Sequence, residues 1–306
     1  MMRTLLLLCL VLCSGPGLAQ SETRILFDDD GVIYSILPDG TDRTQLSDPT
    51  SELSGWDAHP SPSPDGRRIA FTTYPGSSLS QIWTMAPDGT DRAALTTPRA
   101  STYDQAPAWS PDGRHIAFEV IVDGRVQIEI IDAGGGSPVR LIDSSAYSVS
   151  WSPDGSRLVY GGSGVWVAAA DGTTPLQIHP DGSWPVWPPD GQRIAFLRRD
   201  TRPGQPADYL DIWTMDADGG NPVNLTPYDI VGGKTIARPS WSPDGRRIAF
   251  HTWHEFLSPS SLWVMAADGS ELTSLGWGQN ASWLVTAPQT VIRPEITWGQ
   301  FKLLVE

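Results

Sequence analysis

Five histidines, His59, His115, His179, His251 and His254, are the residues best suited to hold a transition metal, because neutral imidazole is its commonest ligand. A metal needs several donors converging on one point. His251 and His254 stand three apart on a segment that reads as a strand, which sends them to opposite faces. No metal and no cofactor are therefore expected. Carboxylates recur at Asp65, Asp112, Asp154, Asp190 and Asp244, and again at Asp39, Asp88, Asp171, Asp218 and Asp268. Each is followed by Gly, and an aspartate that caps its own turn accounts for the pattern without a catalytic ring. Gly161-Gly-Ser-Gly164 departs from the Gly-x-Ser-x-Gly nucleophile elbow and lacks its strand-to-helix context. Gly134-Gly-Gly136 reads as an expanded hairpin turn, with no helix to receive a phosphate. No residue is assigned a catalytic role.

These residues sit on a repeated hairpin. Trp241 to Phe250 (WSPDGRRIAF) recurs at Trp109 to Phe118, Trp151 to Tyr160 and Trp187 to Phe196, and at Pro62 to Phe71 without its Trp. Pro presets φ, Asp bonds its own backbone and Gly takes positive φ, so Pro-Asp-Gly joins two short strands. A third strand follows, as in Gln81-Ile-Trp-Thr-Met85 and Asp211-Ile-Trp-Thr-Met215, then an Asp-Gly turn and a short fourth strand such as Val223-Asn-Leu-Thr226. The inner turns are spaced by 47, 42, 36 and 54 residues. Four strands in roughly 40–50 residues is the period of a propeller blade. Arg198 to Tyr209, rich in Pro, Gly and charge, reads as a loop inserted in the longest interval. Arg24–Phe27, Val32–Ile36 and Thr44–Leu46 read as a blade lacking its first strand, and Gln279–Val285 as a first strand lacking its blade. Pairing them closes a ring. The expected fold is all-β: a six-bladed β-propeller of four-stranded antiparallel blades, closed across the termini.

The repeat, W-S-P-D-G-x-x-I-A-F with I-W-x-M-x-x-D-G and L-T, resembles that of the TolB-type six-bladed β-propellers. The resemblance spans about Arg24 to Val285. It implies an exported, usually protein-binding scaffold. TolB itself is periplasmic and carries an α/β domain ahead of its propeller; that domain is expected to be absent here. Similar blades precede the hydrolase domain of prolyl-oligopeptidase-type enzymes, and such a domain is not expected here. The oligogalacturonate lyases, similar in repeat, gather channel histidines on a metal; here only His59 is placed at a channel position.

Residues that break a repeat are the ones its structure does not demand. They collect in the segment leading into each hairpin. Trp56, Asp57, His59, Tyr103, Asp104, Tyr147, Trp184 and Arg238 are expected to form a partner-binding rim at the mouth of the channel. Aromatic area with a few charges suits a protein or peptide. The hairpin tryptophans Trp109, Trp151, Trp187, Trp241 and Trp283 are assigned instead to the core between blades. The rival reading is a small carbohydrate-active or hydrolytic enzyme working inside the channel.

Residues 1–19 read as a secretory signal peptide: Arg3, an apolar run from Leu5 to Cys13, and Gly17-Leu-Ala19 as cleavage site. Residues 20–306 are assigned to the propeller, with 287–306 as a C-terminal tail. Both cysteines, Cys9 and Cys13, fall in the leader, so the mature chain is expected to contain no disulfide. Leu12 stands where a lipoprotein box needs a small residue, and lipidation is not expected. The formal charge of −14 argues against nucleic acid and anionic lipid as partners. An exported monomer, periplasmic or extracellular and without stable membrane insertion, is expected.

Overall fold

Each Pro-Asp-Gly turn is closed by its own aspartate. In the first, Asp65 accepts the Ser63 hydroxyl at 2.6 Å and the Arg67 N–H at 3.0 Å, while Ser63 Oγ accepts the Arg68 N–H at 2.9 Å. Asp112, Asp154 and Asp244 repeat the pattern. Where Pro188 replaces the serine, Asp190 keeps the bond from Gln192 at 2.9 Å. The outer turns work alike: Asp39, Asp88, Asp171, Asp218 and Asp268 each accept the N–H two residues on. These hydrogen bonds favour the ionised form, and those from Ser152 and Ser156 hold Asp154 down to about 2.

The computed structural model describes residues 21–286 except 49–54, 77–78, 144, 200–208, 227–234 and 255–257. The leader at 1–19, the tail at 287–306 and most of the insertion at 198–209 lie outside the described residues.

Six four-stranded antiparallel sheets form the blades. Blade 1 holds β1 (Thr23–Asp29), β2 (Val32–Ile36) and β3 (Thr44–Gln45). Blade 2 holds β4 (Gly55–Pro62), β5 (Ile69–Pro75), β6 (Gln81–Met85) and β7 (Ala93–Ala94). Blade 3 is β8 (Thr102–Trp109), β9 (His115–Val122), β10 (Arg125–Asp132) and β11 (Val139–Ile142). Blade 4 is β12 (Tyr147–Trp151), β13 (Arg157–Gly162), β14 (Gly164–Ala169) and β15 (Leu176–His179). Blade 5 is β16 (Ser183–Val186), β17 (Arg193–Arg199), β18 (Leu210–Asp216) and β19 (Val223–Asn224). Blade 6 is β20 (Thr235–Trp241), β21 (Arg247–His254), β22 (Ser258–Ala266) and β23 (Thr273–Trp277). The innermost strand of blade 1 is β24 (Gln279–Val285), which pairs antiparallel with β1 from Thr23↔Val285 to Asp28↔Gln279. The ring closes across the termini as expected from the incomplete first and last repeats.

The core lies at the seams between blades. Phe27, Phe71, Phe118, Phe196 and Phe250, the aromatics of the second strands, are fully buried. One apolar cluster joins Ile25 and Phe27 of blade 1 to Leu262 and Val264 of blade 6. Another joins Leu26 and Ile33 to Ile69 and Phe71 of blade 2. The remaining seams are built likewise. A buried aromatic of this size is worth roughly 3–5 kcal/mol against alanine.

The hairpin tryptophans belong to these seams, and three carry a polar bond across them. Nε1 of Trp109, Trp151 and Trp283 donates to the carbonyls of Ser61, Ala108 and Ser240, at 3.1, 3.2 and 3.0 Å. Where the repeat has Pro62 instead of Trp, the Ser282 hydroxyl bridges to Pro60 O at 2.6 Å. Nε1 of Trp187 and of Trp241 is buried without a partner.

Candidate functional site

Every inner strand bulges at the same place. Two of its residues oppose the single aromatic of the neighbouring strand: His59 and Pro60 face Phe71, and Trp184 and Pro185 face Phe196. The first residue of each bulge has a left-handed backbone: His59 (φ +55°), Ala106 (+52°), Ser148 (+54°), Trp184 (+45°), Arg238 (+47°) and Asn280 (+54°). That conformation is strained for a residue with a side chain, by on the order of 1 kcal/mol. It persists because seam packing and strand pairing on both sides leave no alternative. The six residues line one cavity of about 460 Å³, which continues past Pro64, Pro111 and Pro243 of the closing turns.

The bulge also turns an N–H toward the preceding blade, where the residue after the Ile-Ala-Phe strand motif meets it. Asp28 accepts the His59 N–H at 3.0 Å and Thr72 Oγ1 accepts that of Ala106 at 3.0 Å. Glu119 accepts the Ser148 N–H at 2.7 Å, and His251 Nδ1 accepts the Asn280 N–H at 3.2 Å. All four acceptors are buried. At the equivalent places before Trp184 and Arg238 stand Gly161 and Leu197, which offer no side-chain acceptor.

Side chains extend this belt. Asp28 also takes the amides of Gln279 and Asn280, both at 2.9 Å. Tyr74 donates its hydroxyl to Gln105 at 3.1 Å, and Gln105 donates to Glu119 at 2.9 Å. Burial dominates the electrostatics. It raises Asp28 above the ordinary carboxylate range against the pull of those hydrogen bonds and of the Arg238 charge. It pushes Tyr74 up to about 12. Burial and the Arg238 charge hold His251 down to about 3, and His59 well below its ordinary value. An imidazole that accepts an amide N–H through Nδ1 must be neutral there.

The eight rim residues expected from sequence divide into three environments. His59, Trp184 and Arg238 line the cavity, and Tyr147 packs edge-on against Trp184 with ring centroids 6.4 Å apart. Trp56 and Tyr103 are exposed, by 68% and 43%, at the end of the ring opposite the Pro-Asp-Gly turns. Trp56 lies over Gly31, where any Cβ would meet its ring. Asp57 and Asp104 are buried in ion pairs, with Arg92 at 2.9 Å and Arg99 at 2.7 Å.

Sequence reasoning placed His59 alone near the channel. His251, on β21, accepts the Asn280 bulge amide, and its charge acts on His59. Asp28 and Glu119 were not singled out either. The readable signal was the position after Ile-Ala-Phe, which changes from blade to blade just as the connecting segments do. Among the described residues no three His, Cys, Asp or Glu side chains converge as a metal site, and no helix is long and apolar enough to cross a membrane.

Residues 38–286 match the family model described as the TolB beta propeller domain. An uncharacterised protein of Agrobacterium fabrum is 26% identical over 253 residues, covering 78% of this chain and 84% of that protein. Among solved structures, TolB from Acinetobacter baumannii superimposes with a TM-score of 0.70 at 18% identity, over 88% of this chain and 68% of that one. A TolB candidate from Agrobacterium tumefaciens gives 0.67 at 19%, over 88% and 99%.

Proposed function

We propose that this chain, which belongs to the TolB beta propeller domain family, is an exported scaffold that binds a protein or peptide at the mouth of its channel. The observation that carries the reading is the bulge ring. One backbone device, repeated in six blades, presents six different side chains to a single cavity. The fold needs the bulge and leaves its side chain open, so the identities His, Ala, Ser, Trp, Arg and Asn are available for recognition. Export rests on the leader-like residues 1–19, and N-terminal mass spectrometry finding Gln20 as the first residue checks it.

The test is a partner cross-linked to the mature protein in its own envelope, identified, purified and titrated. Trp184→Ala, in the cavity wall, should weaken it by roughly 1–3 kcal/mol while the fold melts normally. Arg246→Ala, on the closing turns, should bind as the parent does. Undiminished binding by the Trp184→Ala variant would remove the cavity mouth as the site.

A further inference from the structure

The ring has one side whose polar groups are engaged and one side whose groups are not. From blade 6 through blades 1, 2 and 3, the acceptors His251, Asp28, Thr72 and Glu119 are all occupied by bulge amides. The bulge amides of Trp184 and Arg238 meet no side-chain acceptor, because Gly161 and Leu197 stand opposite them. Arg238 is half-buried in the cavity wall. Arg24, Arg68, Arg92, Arg99, Arg193 and Arg198 each meet a carboxylate, and Arg247 lies over the Trp283 ring. Arg238, among the described residues, has neither a carboxylate in ion-pair contact nor an aromatic face. Asp28, on which the Arg238 charge acts, already accepts three hydrogen bonds.

A guanidinium held in a concave, partly dry site without a counter-ion is a ready receptor for an oxyanion, and its planar fork matches carboxylate two bonds at a time. Local charge chooses among oxyanions. His59 and His251, held below their ordinary values, add no positive charge beside Arg238, which is left as a single cation in the wall. A monoanion is tolerated there better than a phosphate dianion. We propose that Arg238 is the anchor for a carboxylate of the ligand, seated in the cavity with the Trp184 ring as its apolar wall. This rests on the channel-mouth reading and specifies what that mouth selects: a peptide segment presenting a free carboxylate.

The probe is N-acetyl-phenylalanine, titrated into the full mature protein against its uncharged amide, with inorganic phosphate as a third arm. N-acetyl-glutamate α-amide, whose carboxylate is on a side chain, distinguishes an acidic residue from a chain terminus. At least one carboxylate probe should bind tenfold or more tightly than the amide, and phosphate more weakly than that probe. Arg238→Gln should abolish the acid-over-amide preference, Arg238→Lys should retain part of it, and Arg246→Gln should leave it whole. Trp184→Ala should weaken acid and amide by the same factor. Equal binding of acid and amide, a preference that survives Arg238→Gln, or phosphate binding as well as carboxylate would each overturn the assignment. Equal binding that is nonetheless lost in Trp184→Ala would sink the carboxylate and leave the channel mouth standing. No binding of any probe by the parent protein would overturn the carboxylate site, while the cross-linked partner still decides the wider reading.

Discussion

Four seams of the ring carry two polar clasps each, and the two seams flanking blade 5 carry neither. Between blades 6 and 1, 1 and 2, 2 and 3, and 3 and 4, a buried side chain accepts the bulge N–H, and a Trp or Ser donor reaches a carbonyl of the adjoining blade. Between blades 4 and 5 and between 5 and 6, Gly161 and Leu197 replace the acceptor, and Trp187 and Trp241 keep unpaired indole N–H groups. Both kinds of seam pack the same apolar residues. The seam of blades 4 and 5 has substitutes: the Trp187 backbone N–H donates to Ser150 Oγ at 3.1 Å, and Arg157 lies over the Trp187 ring. Apolar packing therefore suffices to close a seam, and the clasps are an additional layer that fixes bulge geometry. The bulge residues at the two unclasped seams are Trp184 and Arg238, both lining the cavity. Where the fold does not use the polar capacity of the ring, a ligand can.

The contrast is broken most severely by removing a clasped seam altogether. A chain ending at Gly278 loses β24 and with it both clasps between blades 6 and 1, exposing the paired edge of β1. Loss of cooperative thermal unfolding, or aggregation, is expected; a melt like that of the parent would show the ring closing some other way.

Asp28→Ala comes next. It strands the His59 N–H and the Gln279 and Asn280 amides in a buried place, and should cost roughly 2–4 kcal/mol in denaturant unfolding. Leu197→Ala removes only apolar contacts at an unclasped seam and leaves no donor unpaired, so its effect should lack the recovery that Asp28→Asn, which keeps one carbonyl acceptor, gives at the clasped one.

The indole groups sharpen the comparison. Trp151→Phe discards a cross-seam bond and strands the Ala108 carbonyl, for a cost of about 1–2 kcal/mol beyond the lost area. Trp241→Phe removes an N–H that is already unpaired, so its cost should be smaller or absent. Equal losses in the two variants would mean that the indole bonds contribute nothing.

Acid should act on the clasped side first. His251 titrates near 6.5 in the unfolded chain and at about 3 when folded, so its contribution is whole above pH 6.5 and is lost as pH falls toward 3. The sign follows because the unfolded state binds the extra proton in that window. Stability measured against pH should therefore fall through it, and His251→Gln should flatten the fall. The smallest effect is expected far from any seam: Arg246→Ala, exposed on a closing turn, should change stability by less than about 0.5 kcal/mol.

Turns, blade number and the closing strand were determined by the sequence alone. The physical reason is locality. Asp65 meets Ser63 and Arg67 two residues away, and Pro and Gly bias the backbone they occupy, so the repeat is readable without knowing where the chain goes. Even the ring closure was legible, because an unfinished blade at one end and an unpaired first strand at the other fit each other. Tertiary structure alone decided what the variable residues do. Asp57 and Asp104 look like rim carboxylates in the sequence, yet each is buried against an arginine. Asp28 looks like part of a hairpin, yet it binds His59, 31 residues on, and Asn280, 252 residues on. His251 and His59 come within electrostatic reach of each other only when the ring is closed. Such contacts depend on how six similar blades are set side by side, and a repeat that specifies each blade does not say which polar group of one will face which vacancy in the next.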